Sequence, residues 1–173
     1  MAIEDRPAAV KIPVHSIILR WQGTFDWDGL SKFIQSWLAN KEYEFHEKAY
    51  KHKPTELGKE VELEWFVEKK ITGYVINRID IKMHLWDINE VEAEGKKLTH
   101  ARMWINLSAT LILDYEQRWG KNAFFSALRD FFHKHIIKKQ INFVWAESLR
   151  LELNKLFEDI KAYLESMARG KIY

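Results

Sequence analysis

"VELEWFVEKKITGYVINRIDIKMHLWDI", residues 61–88, holds the pattern on which the fold turns. Val61, Leu63, Trp65 and Val67 alternate with Glu62, Glu64 and Glu68; beyond ITG, Val75, Ile79, Ile81, Met83 and Leu85 alternate with Arg78, Asp80, Lys82 and His84. A period of two predicts two half-buried strands. ITG reads as a three-residue hairpin loop with Gly73 in the left-handed position. The apolar set is odd-numbered on both sides, and a loop of odd length keeps both sets on one face.

The pattern continues downstream. Gly95 marks a second turn, and "LTHARMWINLSATLILDY" (98–115) aligns Met103, Ile105, Leu107, Ala109, Leu111 and Leu113. Upstream, Val14–Phe25 puts Ile17, Leu19, Trp21 and Phe25 on one side of a strand. "DWDGLSKFIQSWLAN" (26–40) follows, with Asp26 or Asp28 as cap and Leu30, Phe33, Ile34, Trp37 and Leu38 at helical spacing. Residues 42–52 read as a strand from Tyr43, Phe45 and Ala49, with a helical continuation as the alternative; Pro54 and Gly58 mark a turn.

After Trp119-Gly120 no helix breaker occurs until Gly170, and Phe124, Leu128, Phe131, Leu149, Leu153, Leu156, Ile160 and Leu164 share one stripe. One helix of that span would be about 70 Å long, so a bend near Lys138–Gln140 is expected. Ile137, Ile141 and Val144 fall off the stripe and point to a second apolar surface.

The expected fold is therefore α+β and two-layered. A five-stranded antiparallel sheet, order 1-5-4-3-2, carries one helix after its first strand and a long, bent C-terminal helical region. Residues 1–12 read as a flexible arm, 13–120 as the sheet with its helix, and 121–169 as the helical region of the same domain. The element order resembles the helix-grip proteins of the START and Bet v 1-like kind, which implies a space for an apolar ligand between sheet and helix. The phrases "YEFHEKAY" (43–50), "MHLWDI" (83–88), "LILDYEQRW" (111–119) and "KHIIKK" (134–139) resemble an uncharacterised family of small archaeal proteins. That resemblance covers most of the chain from Phe25 onward and implies an archaeal source, with no activity or catalytic residue to carry over.

Composition narrows the function classes. The 173 residues suit one domain, and eight tryptophans with ten phenylalanines supply a large core. Charge is balanced, 27 basic against 25 acidic residues, so no nucleic-acid partner is expected. Without cysteine there is no disulfide, thiol nucleophile or Cys-based metal site. No stretch approaches the roughly 18 apolar residues of a spanning helix, and "MAIEDRPAAVKIP" lacks a signal peptide's apolar run. A cytoplasmic protein is expected.

Candidate chemistry is sparse. His133 and His135, two apart on a helix, diverge by about 200°, and no HExxH, GxSxG, GxGxxG or GxxxxGK[ST] occurs. No metal and no cofactor is expected, and a non-enzymatic protein is favoured. On the outward sheet face, turns centred on Gly73 and Gly95 put Glu60, His84 and Asn106 in one cross-strand row and Glu62, Lys82 and Ser108 in the next, with Trp86 opposite Trp104. The two indoles call for a cover: the N-terminal arm, the final helix or another protein. Trp86, Trp104, Ile137, Ile141 and Val144 form the expected binding surface for a protein partner or a second copy. An apolar-ligand carrier is the alternative. A catalytic site would draw on Glu60 and His84, or on Asp114 and Arg118 at a strand end.

Overall fold

The computed structural model describes residues 9–55, 58–93, 95–115, 127, 131 and 141–169. Five strands, β1 (Val10–Phe25), β2 (Glu44–Thr55), β3 (Gly58–Lys70), β4 (Val75–Ala93) and β5 (Lys96–Leu113), form one antiparallel sheet in the order β1-β5-β4-β3-β2. Helix α1 (Trp27–Asn40) follows β1; a π-helical turn, Ile141–Ala146, leads into α2 (Glu147–Arg169). The class, strand order and placement of both helices are those expected. Residues 42–52 resolve in favour of the strand, and β1 begins at Val10 rather than Val14. The expected bend near Lys138–Gln140 lies outside the described residues.

Parity works as the alternation demands. The odd-numbered residues Val67, Ile79, Ile81, Ile105 and Leu111 are fully buried, facing α1 through Leu30, Ile34 and Leu38 and α2 through Leu149, Leu153, Leu156, Ile160 and Leu164. Asp26 caps α1 by accepting a hydrogen bond from the Gly29 N–H at 2.8 Å. The helices meet through the Trp37 indole N–H, which donates to Asp159 at 2.9 Å, and just before β2 the Tyr43 hydroxyl donates to Glu152 of α2 at 2.8 Å. On the outer face a smaller cluster, Ile76 and Ile112 beneath Tyr115, covers the sheet beside the β3–β4 loop.

Register departs from expectation by two residues. Lys70 pairs with Ile76, so the β3–β4 loop has two residues more than ITG alone. Gly73 is not in the left-handed region; instead the Thr72 hydroxyl accepts hydrogen bonds from the Tyr74 and Val75 N–H groups, both at 3.1 Å. His84 consequently faces Glu62 rather than Glu60. At the other end Ala93 pairs with Lys96, and a bulge in β4 between Trp86 and Asn89 adds a further offset, so His84 faces Trp104 and Trp86 faces Arg102. Each deviation keeps the odd residues of the sheet's middle inward, because shifts by two preserve the face.

The bulge is built from Asp87, at φ 55°, and it crowds β3. Gly58 has φ 141°, and a Cβ there would lie 3.2 Å from the Ile88 carbonyl oxygen and 3.3 Å from the Asp87 carbonyl carbon, both backbone atoms that cannot swing aside. Gly58→Ala is expected to lower stability by about 1–3 kcal/mol, read as an earlier urea midpoint at unchanged slope.

Candidate functional site on the outer sheet face

One cross-strand row crosses the outer face at the level of the bulge: Arg20 on β1, Trp104 on β5, His84 on β4, Glu62 on β3 and Lys51 on β2. The next row brings Gln22, Arg102 and Trp86. Glu60 stands where β4 carries its extra residue, since Lys59 pairs with Ile88 and Val61 with Leu85. The bulge therefore brings a second carboxylate to the imidazole that Glu62 already faces.

The His84 Nε2 is hydrogen-bonded to Glu60 Oε1, and its Nδ1 lies 3.9 Å from Glu62 Oε1. The ring stacks on Trp86, centroids 3.8 Å apart and planes 20° from parallel. His84 and Glu60 are 21% exposed and Glu62 35%, so the group is sheltered without being sealed. Lys51 and Lys53 approach Glu62 only to 4.0 Å, and Lys82 lies 3.6 Å from Glu64. Ion pairs that loose and wet contribute little.

Beside this group lies a shallow cleft of about 440 Å³ between the Trp86 and Trp104 indoles and the side chains of Arg20, Gln22 and Arg102. Arg102 donates to Asp87 at 2.6 Å; Arg20 has no ion-pair partner among the described residues. The two indoles are half-buried diagonal neighbours rather than opposite one another. The final helix lies on the other face and does not cover them.

The expected binding surface is thus divided. Val144 is 55% exposed at the start of the α2 region, in the layer on the opposite side of the sheet; Ile137 and the side chain of Ile141 lie outside the described residues. Glu60 and His84 are brought together, whereas Asp114 is buried at the far end of β5, its N–H bonded to the Tyr74 carbonyl at 2.9 Å. Arg118 lies outside the described residues. Glu62 was missed as a partner of His84 because the expected register placed it in the adjoining row.

The inner face has a pocket at the Gly95 end, about 300 Å³, lined by Asp26, Asp28, His52, Lys59, Glu90 and Lys97 among others. Among the described residues, no helix is long and apolar enough to cross a membrane.

No protein-family model matches the chain, and no curated protein is found similar to it. Among solved structures, the di-domain ARO/CYC StfQ from the steffimycin biosynthetic pathway is similar at 10% identity and a TM-score of 0.22. The match covers 92% of this chain and 52% of that one, so the chain spans about half the length of this neighbour. A likeness that distant carries no argument about function.

Proposed function

We propose that this chain is a non-catalytic assembly module that pairs with a second copy of itself through the outer face of its sheet. The observation that carries the reading is an aromatic seam, Trp86, Trp104 and His84, with arginines on its β1–β5 side and, on the other, the β3 glutamates interleaved with Lys51, Lys53 and Lys82. Arg20 and Arg102 stand on β1 and β5, while Glu60, Glu62 and Glu64 stand on β3. A two-fold axis through the seam lays each copy's guanidinium groups on the other's carboxylates, the self-complementarity that an isologous dimer requires. Tryptophan and arginine are also the side chains that most often dominate interface energetics. Strands about 4.8 Å apart and at least 12 residues long give a face of roughly 20 by 40 Å. That matches the about 800 Å² per partner of an ordinary interface.

An apolar-ligand carrier draws less support. The inner pocket sets Trp27, Val61, Leu85, Ile88 and Leu98 beside carboxylates, lysines and a histidine, whereas apolar ligands are held in mainly hydrophobic cavities.

Sedimentation equilibrium tests the pairing. A dimer of the 20.7 kDa chain is expected, weakening as salt rises. Trp104→Ala should raise its dissociation constant about 30-fold, the effect of losing a central anchor. Arg20→Glu should also weaken it, and adding Glu62→Arg should restore it. A wild-type chain that stays monomeric at millimolar concentration overturns the reading.

A further inference from the structure

We infer that Glu60, Glu62 and His84 form a binding site for a divalent transition-metal ion of the zinc class. One donor atom from each of the three lies within 4.8 Å of the others, so a small shift of flexible carboxylates gathers them around one ion. The donor set is one imidazole nitrogen and two carboxylate oxygens. Such a set favours Zn²⁺, Co²⁺ or Mn²⁺ over the soft ions that need thiolates and over Ca²⁺ and Mg²⁺, which prefer oxygen throughout.

Glu60 approaches the His84 ring at Nε2 and Glu62 on its Nδ1 side, so two carboxylates gather at one partly buried imidazole. A cation placed among the three groups relieves the repulsion between the like charges. The lysines around Glu62, at 4.0 Å, are too exposed and too far to offset that repulsion well. Stacking on Trp86 holds the imidazole plane, the orienting support that metal-bound histidines ordinarily receive from their surroundings. Three protein donors on an open sheet face leave at least one coordination position for water or an outside ligand. On binding, the ion takes the place of the hydrogen bond between His84 and Glu60, and protons held by the ligands are released to solvent.

The ion and the pairing proposed above draw on the same Glu60, Glu62 and His84, so the two are read separately: metal by stoichiometry per chain, pairing by mass in metal-free solution. Metal-stripped protein is titrated with Zn²⁺ by calorimetry and with Co²⁺ by tryptophan fluorescence. One equivalent per chain is expected, and a Co²⁺-induced quench that shrinks in Trp86→Phe, because that indole lies against the ligating ring, the remainder coming from Trp104 across the strands. Glu62→Gln, a mild change at a partly exposed position, and His84→Ala should each lower affinity at least tenfold, while His46→Ala leaves it unchanged. Absence of saturable binding, or undiminished affinity in both Glu62→Gln and His84→Ala, overturns the assignment, the second outcome marking adventitious binding at other histidines.

Discussion

Replacing Arg78 by methionine is expected to cost about 3–5 kcal/mol, the loss that follows when one partner of a buried ion pair is removed. Thermal midpoint should fall by roughly 10 °C for a chain of this length. Arg78 and Glu68 are 7% and 9% exposed, although both belong to the outer face. The guanidinium binds Asp80 through Nη2 at 2.8 Å and through Nε at 3.1 and 3.2 Å, and reaches Glu68 through Nη1 at 3.4 Å. It also lies over the Phe66 ring, 4.3 Å from its centroid. Methionine fills similar volume and keeps the contact with Phe66 but supplies no donor, so two carboxylates are left facing one another, one of them buried. Lysine restores the charge without the planar fork or the stacking and should recover only part of the loss.

The same substitution carries a pH signature. Burial pushes the Glu68 carboxyl above its ordinary value, with the Arg78 and His46 charges pulling it down against that effect. A carboxyl raised in the folded state binds its proton more tightly there than in the unfolded chain. Stability from this group is therefore fully present below the unfolded value, near pH 4, and is lost as pH rises through the folded one. Without Arg78 the folded value climbs further and the loss on alkalinisation grows. The gap between wild type and Arg78→Met should narrow as the solution is acidified from neutral toward pH 4. Urea titrations across that range read it directly, and a gap that stays constant would show that Glu68 is not the stranded charge.

How much of this was legible in sequence depends on the kind of information. Faces were legible, because alternation of Val61, Leu63, Trp65 and Val67 against glutamates admits one buried side whichever residues pair across the strands. Helix α1 was legible from its Asp26 cap and its Leu30, Ile34 and Leu38 spacing. Cross-strand partners were not, since they depend on loop length and bulges that alternation does not encode. Thr72, rather than Gly73, closes the β3–β4 loop with its hydroxyl, and Asp87 takes a left-handed conformation more usual for glycine. These two local facts moved His84 from the row of Glu60 to that of Glu62 and left Glu60 reaching it diagonally. Three donors that sequence divided between two rows became one cluster. The indoles were correctly assigned to the outer face but not to their neighbours, for the same reason.

Leu156→Ala should destabilise the chain by about 2–5 kcal/mol, the range for a buried leucine that leaves a cavity behind. Leu156 is fully buried on α2, in the stripe that includes Leu149, Leu153, Ile160 and Leu164. Leu156 belongs to the core that α2 shares with the sheet, and the hydrogen-bonded strands limit how far that core can collapse into the space. Leu151, five positions earlier on the same helix, is 57% exposed, and Leu151→Ala should change stability by no more than about 0.5 kcal/mol. Alanine is at least as good a helix former as leucine, so both variants keep α2 intact and differ only in what the side chain touches. Chemical denaturation of the pair separates helix propensity from burial: a lower midpoint at equal slope for Leu156→Ala alone. Equal losses in the two variants would mean that α2 does not close over the odd-numbered wall, and the outer face could then no longer be identified as the side left open for a partner or an ion.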